Sequence, residues 1–506
     1  MRIYLKMPDD AIPALRSRLN YAFRLFCAIY GHEPLVEPAK AENPDVTLRY
    51  TQSFSKAPAA AERTVWLSRG YRARKLRAPA PPPVKYAGKD ITTLLHHLPK
   101  GEHDPDWLWE IFEWVSCADE YSVSLHDRVG RPLFAATYAG RYNINMFIPY
   151  AAIAMRGLQR AICQVLPGEP ETPRGPDETR SHLMIPTHDI DYFPMSRWHA
   201  VNRLLRNAVF SGLVAKHSLL GMRQAGMALQ VAMGRRLDPL HQIVQLAEEE
   251  RSRGFSASYY FLTRHAHRRD ASYTLKHSIV LDLMHWLESQ GMEVGVHGSY
   301  SCMEHACGLQ NEVTDMHDHG FHPQGGRQHW LRYTLERLIP AVERAELSYD
   351  TSMGWSDMIG FRAGACFAFP PYDFGKESAA SFLEIPMVVM DQSLEPKRDG
   401  LEEMLERATA VLAASRQMGW GGISLLWHPS AFGNAWLPSG VGEIFWKLAD
   451  LRTSCNDVWM KASDFMERIQ QRYVSVGLLP ARDHPSASED QLCEISGFAT
   501  KVERAG

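Results

Sequence analysis

The sequence is short of several things, and each shortage narrows what the chain can be. Its eight cysteines are scattered and form no C-x-x-C pair, which speaks for reduced thiols rather than a disulfide framework. No run of 18 apolar residues occurs, so a membrane-spanning helix is not expected. The N-terminal MRIYLKMPDD lacks the apolar core of a secretory signal, and the expected location is cytoplasmic. Charge of one sign is also lacking. A formal net charge of −3 gives no reason to expect a nucleic-acid partner. With 45% apolar and 22% charged residues, the 506-residue chain reads as folded, and as two or three domains rather than one.

Histidine is plentiful, 22 in all, and it matters because of one stretch, Ile185-Pro186-Thr187-His188-Asp189-Ile190-Asp191. The apolar lead-in Leu183-Met184-Ile185 reads as a short buried strand. Alternate residues of a strand share a face, so Asp189 and Asp191 project from its carboxyl end toward one place. Two carboxylates that close resist joint ionisation unless a cation or shared proton relieves them. With imidazoles available, a metal site is the expected solution.

In chain order, residues 1–170 read as a separate N-terminal domain of mixed helix and strand. Ala14 to Tyr30 has helical apolar spacing, while 45–50 and 64–67 look like strands. The Pro-rich run at 78–83 is a loop, and the aromatic stretch 106–116 reads as scaffold ahead of a carbohydrate-binding surface. Residues 171–180 sit in a Pro/Gly/acid-rich connector. Residues 181–472 then alternate strand and helix, which predicts parallel strands wrapped by helices. Within them, 195–237 is a helical insertion; Arg197 to Arg236 holds seven Lys or Arg and no Asp or Glu. It reads as a lid, or as a surface for an anionic membrane. Residues 473–506 are polar and read as a tail.

Three further groups fall at strand ends or turns: Glu293-Val294-Gly295-Val296-His297, Gly326-Arg327-Gln328-His329-Trp330, and Leu425-Leu426-Trp427-His428-Pro429. Polar residues at the carboxyl ends of successive parallel strands are where barrel enzymes keep their chemistry.

Taken together these stretches resemble the NodB-homology polysaccharide deacetylases, carbohydrate esterase family four and its relatives. The residues that carry the resemblance are THDID (187–191), EVGVHGSYS (293–301), RQHW (327–330), YDTS (349–352) and LLWH (425–428), in the family's order. It covers roughly 180–470. A subgroup found with surface-polysaccharide genes also resembles this chain in its N-terminal domain and in GFRAG (360–364) and LEIP (383–386). The resemblance implies an α/β fold, a distorted (β/α) barrel preceded by a smaller α+β domain. It implies Asp189 as catalytic base, Arg327 as its positioning cation and His428 as general acid. Asp191 and His297 become ligands of a divalent metal, most simply zinc. Arg362, Trp330 and Tyr300 are candidates for binding an N-acetylated amino-sugar or glycan precursor.

The sequence departs from the family where a second His is usual, four residues after His297. Ser301 stands there, a poor zinc ligand, leaving His329, His305 and Ser301 as candidates, with His329 preferred. Trp355 and Trp427 are further candidates for sugar stacking, and His188 for a supporting contact beside the Asp pair. The rival expectations are an amide hydrolase acting on a non-sugar, a glycosidase, and a non-catalytic glycan-binding relative.

Overall fold

The computed structural model describes residues 1–9, 11–37, 43–51, 63–68, 85–86, 89–90, 106–123, 125–173, 175–176, 181–194, 196–214, 218–235, 242–394, 400–432 and 440–481 (the backbone alone at 51, 68, 85, 86, 89, 90, 122 and 214). The Pro-rich run at 78–83, part of the 171–180 connector and the tail beyond 481 lie outside these residues.

Nine strands form one sheet, and every pairing in it is parallel. Across it the order is Leu383–Glu384, Tyr349–Asp350, Gly325–Gln328, Glu293–Gly298, Ser258–Phe261, His182–Ile190, Gly421–Leu426 and Met387–Met390. Asp457–Trp459 pairs with the start of His182–Ile190. The two edge strands are neighbours in the chain, separated only by Ile385 and Pro386. So short a link spans about 10 Å at full extension, so the edges of the sheet must meet. They do: the Ile385 N–H donates to Asp350 at 2.9 Å, and the Ser424 N–H donates to Pro386 at 2.9 Å. The expected distorted (β/α) barrel is present, and the LEIP stretch closes it.

On the far side of His182–Ile190, one neighbouring strand pairs as far as Met184 and the next begins at Thr187. Pro186, which has no N–H to give, falls between those two ladders. At the base of the barrel the Glu293 carboxylate accepts from Ser258 Oγ at 2.6 Å, Tyr349 Oη at 2.7 Å and the Ser463 N–H at 2.9 Å. Rings fill the interior above it. A Cβ on Gly295 would lie 2.6 Å from the Tyr260 ring, and one on Gly325 would lie 2.5 Å from that of Tyr349. Glycine in these strands makes room for aromatic filling.

The strand Gly325–Gln328 is followed by the helix Leu335–Arg344. One expectation is corrected here: the chain remains packed past 472, because the helix Ala462–Ser475 buries Tyr473, and Leu478 is buried after it.

The N-terminal part has its own sheet, in the order Glu33–Leu35, Arg2–Lys6, Val46–Thr51, Thr64–Ser68, again all parallel. The helix Pro13–Tyr30 crosses between the first two strands in sequence. This helix also meets the barrel: Tyr21 Oη donates to the Pro370 carbonyl at 2.6 Å, and Trp420 Nε1 donates to that of Ile29 at 3.1 Å. The helix Trp107–Ser116 is capped by Asp106, whose carboxylate accepts from the Trp109 N–H. Its aromatics are core: Phe112 meets Tyr21 and Tyr372 edge-on, and Trp114 stacks on Tyr150.

The insertion is a pair of helices, Arg197–Val209 and Ser218–Ala232. Ala200, Val201, Leu204, Met227, Ala228 and Val231 form a small core of their own, apart from the main one. Among the described residues, no helix is long and apolar enough to cross a membrane.

Candidate metal centre

The strand His182–Ile190 delivers Asp189 to the barrel interior, where Oδ1 lies 2.8 Å from Nη1 of Arg327. Arg327 is wholly buried, and its Nε donates to the Thr351 carbonyl at 3.0 Å. Strand alternation turns His188 the other way. Its Nδ1 meets the Trp427 carbonyl at 2.6 Å and its Nε2 meets Glu250 at 2.7 Å. It braces the strand against the helix Ile243–Ser252 and gives no support to the Asp pair, contrary to expectation.

Asp191 lies just beyond the strand, with three histidines around it. His297 Nε2 is 3.2 Å and His329 Nε2 3.4 Å from its Oδ1, and His428 Nε2 is 3.5 Å from its Oδ2. Each ring is oriented from behind. His297 Nδ1 donates to the Arg327 carbonyl at 2.9 Å, His329 Nδ1 faces Asp270 at 3.3 Å, and His428 Nδ1 faces Asp391 at 3.0 Å. Such rear contacts are how ligating and catalytic imidazoles are given a tautomer and a direction.

Asp191, His297 and His329 offer donor atoms that all lie within 4.8 Å of one another, the one such group among the described residues. Of the other candidates, Ser301 begins a short turn and His305 is exposed; neither joins this group. Asp191 Oδ1 and His297 Nε2 are buried without a hydrogen-bond partner. With the His297 proton committed to the Arg327 carbonyl, Nε2 presents a lone pair toward a carboxylate oxygen. Two lone pairs facing each other out of water require a cation or a proton between them. Two nitrogens and a carboxylate oxygen are a donor set suited to a zinc-class ion with an open position.

The electrostatics favour a charged carboxylate there. Desolvation works to raise the Asp191 carboxyl, but the attraction of His329 and the close approach of His297 and His428 outweigh it and hold it well below its usual range. Burial alone would discharge His428. The Asp391 carboxylate, with a bond to Asp191, outweighs burial and holds the ring well above the usual histidine range.

These groups open onto a cleft of about 590 Å³ lined by Asp189, Asp191, His297, His329, Trp330 and His428, among others. Trp330 is 42% exposed and Arg131 donates to its carbonyl at 3.0 Å. Trp330 and Leu331 both have left-handed backbones, φ 64° and 51°. For residues with a Cβ this costs about 1–3 kcal/mol each, and here it turns the chain sharply just after His329.

Other candidates fall elsewhere. Tyr300 is buried behind the cleft wall; its hydroxyl bonds to Arg269 and its N–H donates to Asp270. Arg362 is outside the cleft, paired with Glu120 from the N-terminal part at 2.6 and 2.9 Å. Trp355 and Trp427 are buried away from it. Two residues of the site had not been anticipated. Asp391 directly follows the strand Met387–Met390, and Asp270 sits in the loop after Ser258–Phe261, where it also accepts the N–H groups of Ala266 and His267. A carboxylate directly after an apolar strand was the available signal for Asp391.

A closed parallel barrel with an Asp-His-His cluster at its strand ends is thus the class that fold and site define. No family model matches the chain, and no curated protein matches it. Among solved structures it is similar to a Mycobacterium smegmatis protein assigned as a polysaccharide deacetylase, at 15% identity over 61% of this chain and 95% of that one, TM-score 0.35. It is similar to a family 4 carbohydrate esterase from Streptomyces lividans in complex with acetate, at 10% identity over 55% and 91%, TM-score 0.26. It is also similar to the peptidoglycan deacetylase PdaC from Bacillus subtilis, at 11% identity over 58% and 94%, TM-score 0.28.

Proposed function

We propose that this chain is a metal-dependent hydrolase that removes an N-acetyl group from an amino-sugar or glycan precursor, in surface-polysaccharide biosynthesis. One observation carries the reading. Asp189, backed by Arg327, and His428, backed by Asp391, face one cleft from either side of the Asp191, His297 and His329 cluster. That is a base, an acid and a cation site at one point, which amide cleavage needs.

When bound by Asp191, His297 and His329, a zinc-class ion supplies Lewis acidity that makes a water nucleophilic near neutral pH and polarises the acyl carbonyl. Asp189 accepts the proton of the attacking water, and Arg327 keeps that carboxylate aimed into the cleft. His428, as imidazolium, protonates the departing nitrogen, without which the amine does not leave. Trp330, part-exposed at the mouth of the cleft, offers ring surface against which a sugar can pack.

The test is acetate release from a panel of N-acetylated amino sugars and their oligomers. Turnover is expected on sugars. Turnover confined to non-sugar amides would transfer the same chemistry to another substrate class, and cleavage of glycosidic bonds would overturn it. The pH profile should share the geometry. A raised His428 keeps its proton to higher pH, so activity is lost only as pH rises through that raised value. Asp391→Asn removes the main cause and should move the alkaline limb to lower pH by at least about one unit.

The helical insertion supports a peripheral contact with an anionic membrane surface. Val209, Phe210, Leu213, Leu219 and Met222 are exposed around the junction of its two helices, Leu213 and Leu219 at 79%. The 197–236 segment that carries them has seven cations and no carboxylate. Exposed apolar side chains on a segment rich in Lys and Arg and free of Asp and Glu suit a headgroup layer. Co-sedimentation with anionic vesicles is expected, weakened about tenfold or more by Phe210→Ser/Leu213→Ser; no binding at low ionic strength would rule the contact out.

A further inference from the structure

Beyond the metal cluster, the cleft has an unusual balance of charge. One wall is a single face of the helix Arg197–Val209, where His199, Asn202, Arg203 and Arg206 follow each other at helical spacing. The facing wall is the loop after Ser258–Phe261, with Arg268 and Arg269. Some arginines elsewhere on the surface have carboxylates: Arg264 pairs with Asp315, Arg253 with Glu249 and Asp450, Arg332 with Glu304. Arg206, Arg268 and Arg269 pair with none among the described residues. Arg269 instead lies over the Tyr300 ring at 4.9 Å and the Trp330 ring at 5.7 Å.

The acids of the cleft do not neutralise them. Asp189 is engaged by Arg327, Asp191 by the three histidines, and Asp270 by His329 and backbone N–H groups. Three guanidinium groups therefore line the cleft that holds the Asp-His-His cluster, with no carboxylate partner among the described residues.

We infer that the substrate carries a phosphate or diphosphate group, held by Arg206, Arg268 and Arg269 beside the acyl-bearing sugar. A neutral sugar would leave these charges unanswered, and a single sugar carboxylate would answer one. A diphosphate carries two to three negative charges, and its oxygens match guanidinium forks two at a time. Trp330, between Arg131 and Arg269, would then lie under the sugar that joins the anion to the amide. The nature of that sugar rests on the deacylation reading; the anion site stands on the arginines alone. A phosphate of this kind comes from a nucleoside diphosphate or from a lipid diphosphate.

The experiment is calorimetric titration of inorganic pyrophosphate into the full chain, as wild type, Asp191→Ala, Arg206→Ala and Arg268→Ala. Saturable binding to wild type is expected. Asp191→Ala should keep or strengthen it, since a nearby negative charge is lost, while each exposed-arginine variant should weaken it about tenfold or more. No binding to wild type at millimolar pyrophosphate overturns the proposal. So does binding lost in Asp191→Ala but intact in the arginine variants, which would place the anion on the metal.

Competition then separates the sources. Displacement by a soluble nucleoside diphosphate, or by vesicles containing a polyprenyl diphosphate, supports the site and names its donor. Displacement by neither, or by glucuronate as readily as by pyrophosphate, overturns it. Should acetate release fail on every sugar while pyrophosphate still binds through the arginines, the deacylation reading falls and this one stands.

Discussion

Elemental analysis of the purified chain should return about one equivalent of a zinc-class ion, and close to none from Asp191→Ala, His297→Ala or His329→Ala. The expectation follows from the two buried lone pairs that face each other at Asp191 Oδ1 and His297 Nε2. Removing any one donor leaves two, too few to hold such an ion against water. Ser301→Ala and His305→Ala should keep the full equivalent, since neither residue is in the cluster. Asp270→Asn, which loosens His329 from behind, should weaken the metal by about 10–100-fold without abolishing it. Metal retained by His329→Ala would move the third ligand elsewhere. Metal absent from wild type after reconstitution would turn the reading to a glycan-binding protein. The same ion should stabilise the chain: at about a thousand times its dissociation constant the gain is about 4 kcal/mol, seen as a drop in melting temperature on chelation.

Arg362→Ala should cost about 3–5 kcal/mol of stability and leave metal content unchanged. The guanidinium forms a two-point pair with Glu120, donates to the Gly354 carbonyl at 2.8 Å and lies 4.4 Å from the Trp355 ring centre. Both partners are nearly inaccessible, at 4% and 8% side-chain exposure. Truncating one leaves a buried charge unanswered, which is where the penalty comes from. Replacing both, as Arg362→Met with Glu120→Leu, should recover most of the loss. Thermal or denaturant unfolding measures the difference. Unchanged stability with impaired sugar binding would return Arg362 to the substrate-binding role first expected of it.

The parts of the site legible in the sequence were those tied to strand ends. Asp189, Asp191, His297 and His428 each end or follow an apolar run, and parallel strands bring such ends together whatever else the chain does. His188 shows the limit of proximity: next to Asp189 in the chain, it faces the opposite side of the sheet. Gly325–Gln328 was hidden because glycine has low strand propensity, though the Tyr349 ring tolerates nothing larger there. Pro386 masked the strand Met387–Met390, and with it Asp391. Asp270 and the cleft arginines lie on loops or on the flank of an inserted helix, where periodicity says nothing about direction. Arg362 was misplaced for a related reason: its partner, Glu120, is 242 residues away in the chain.

The closure of the barrel by Leu383–Met390 also sets when the site can exist. Its central strand, His182–Ile190, gains one neighbour from 421–426 and another from 457–459, so its pairings span most of the chain made after it. Contacts of such sequence separation form late and slowly. During synthesis the Asp pair emerges long before Asp391, His428 and the strands that frame them. An ion held by Asp191, His297 and His329 would on this view act less as a nucleus for folding than as a lock on a barrel that closes late.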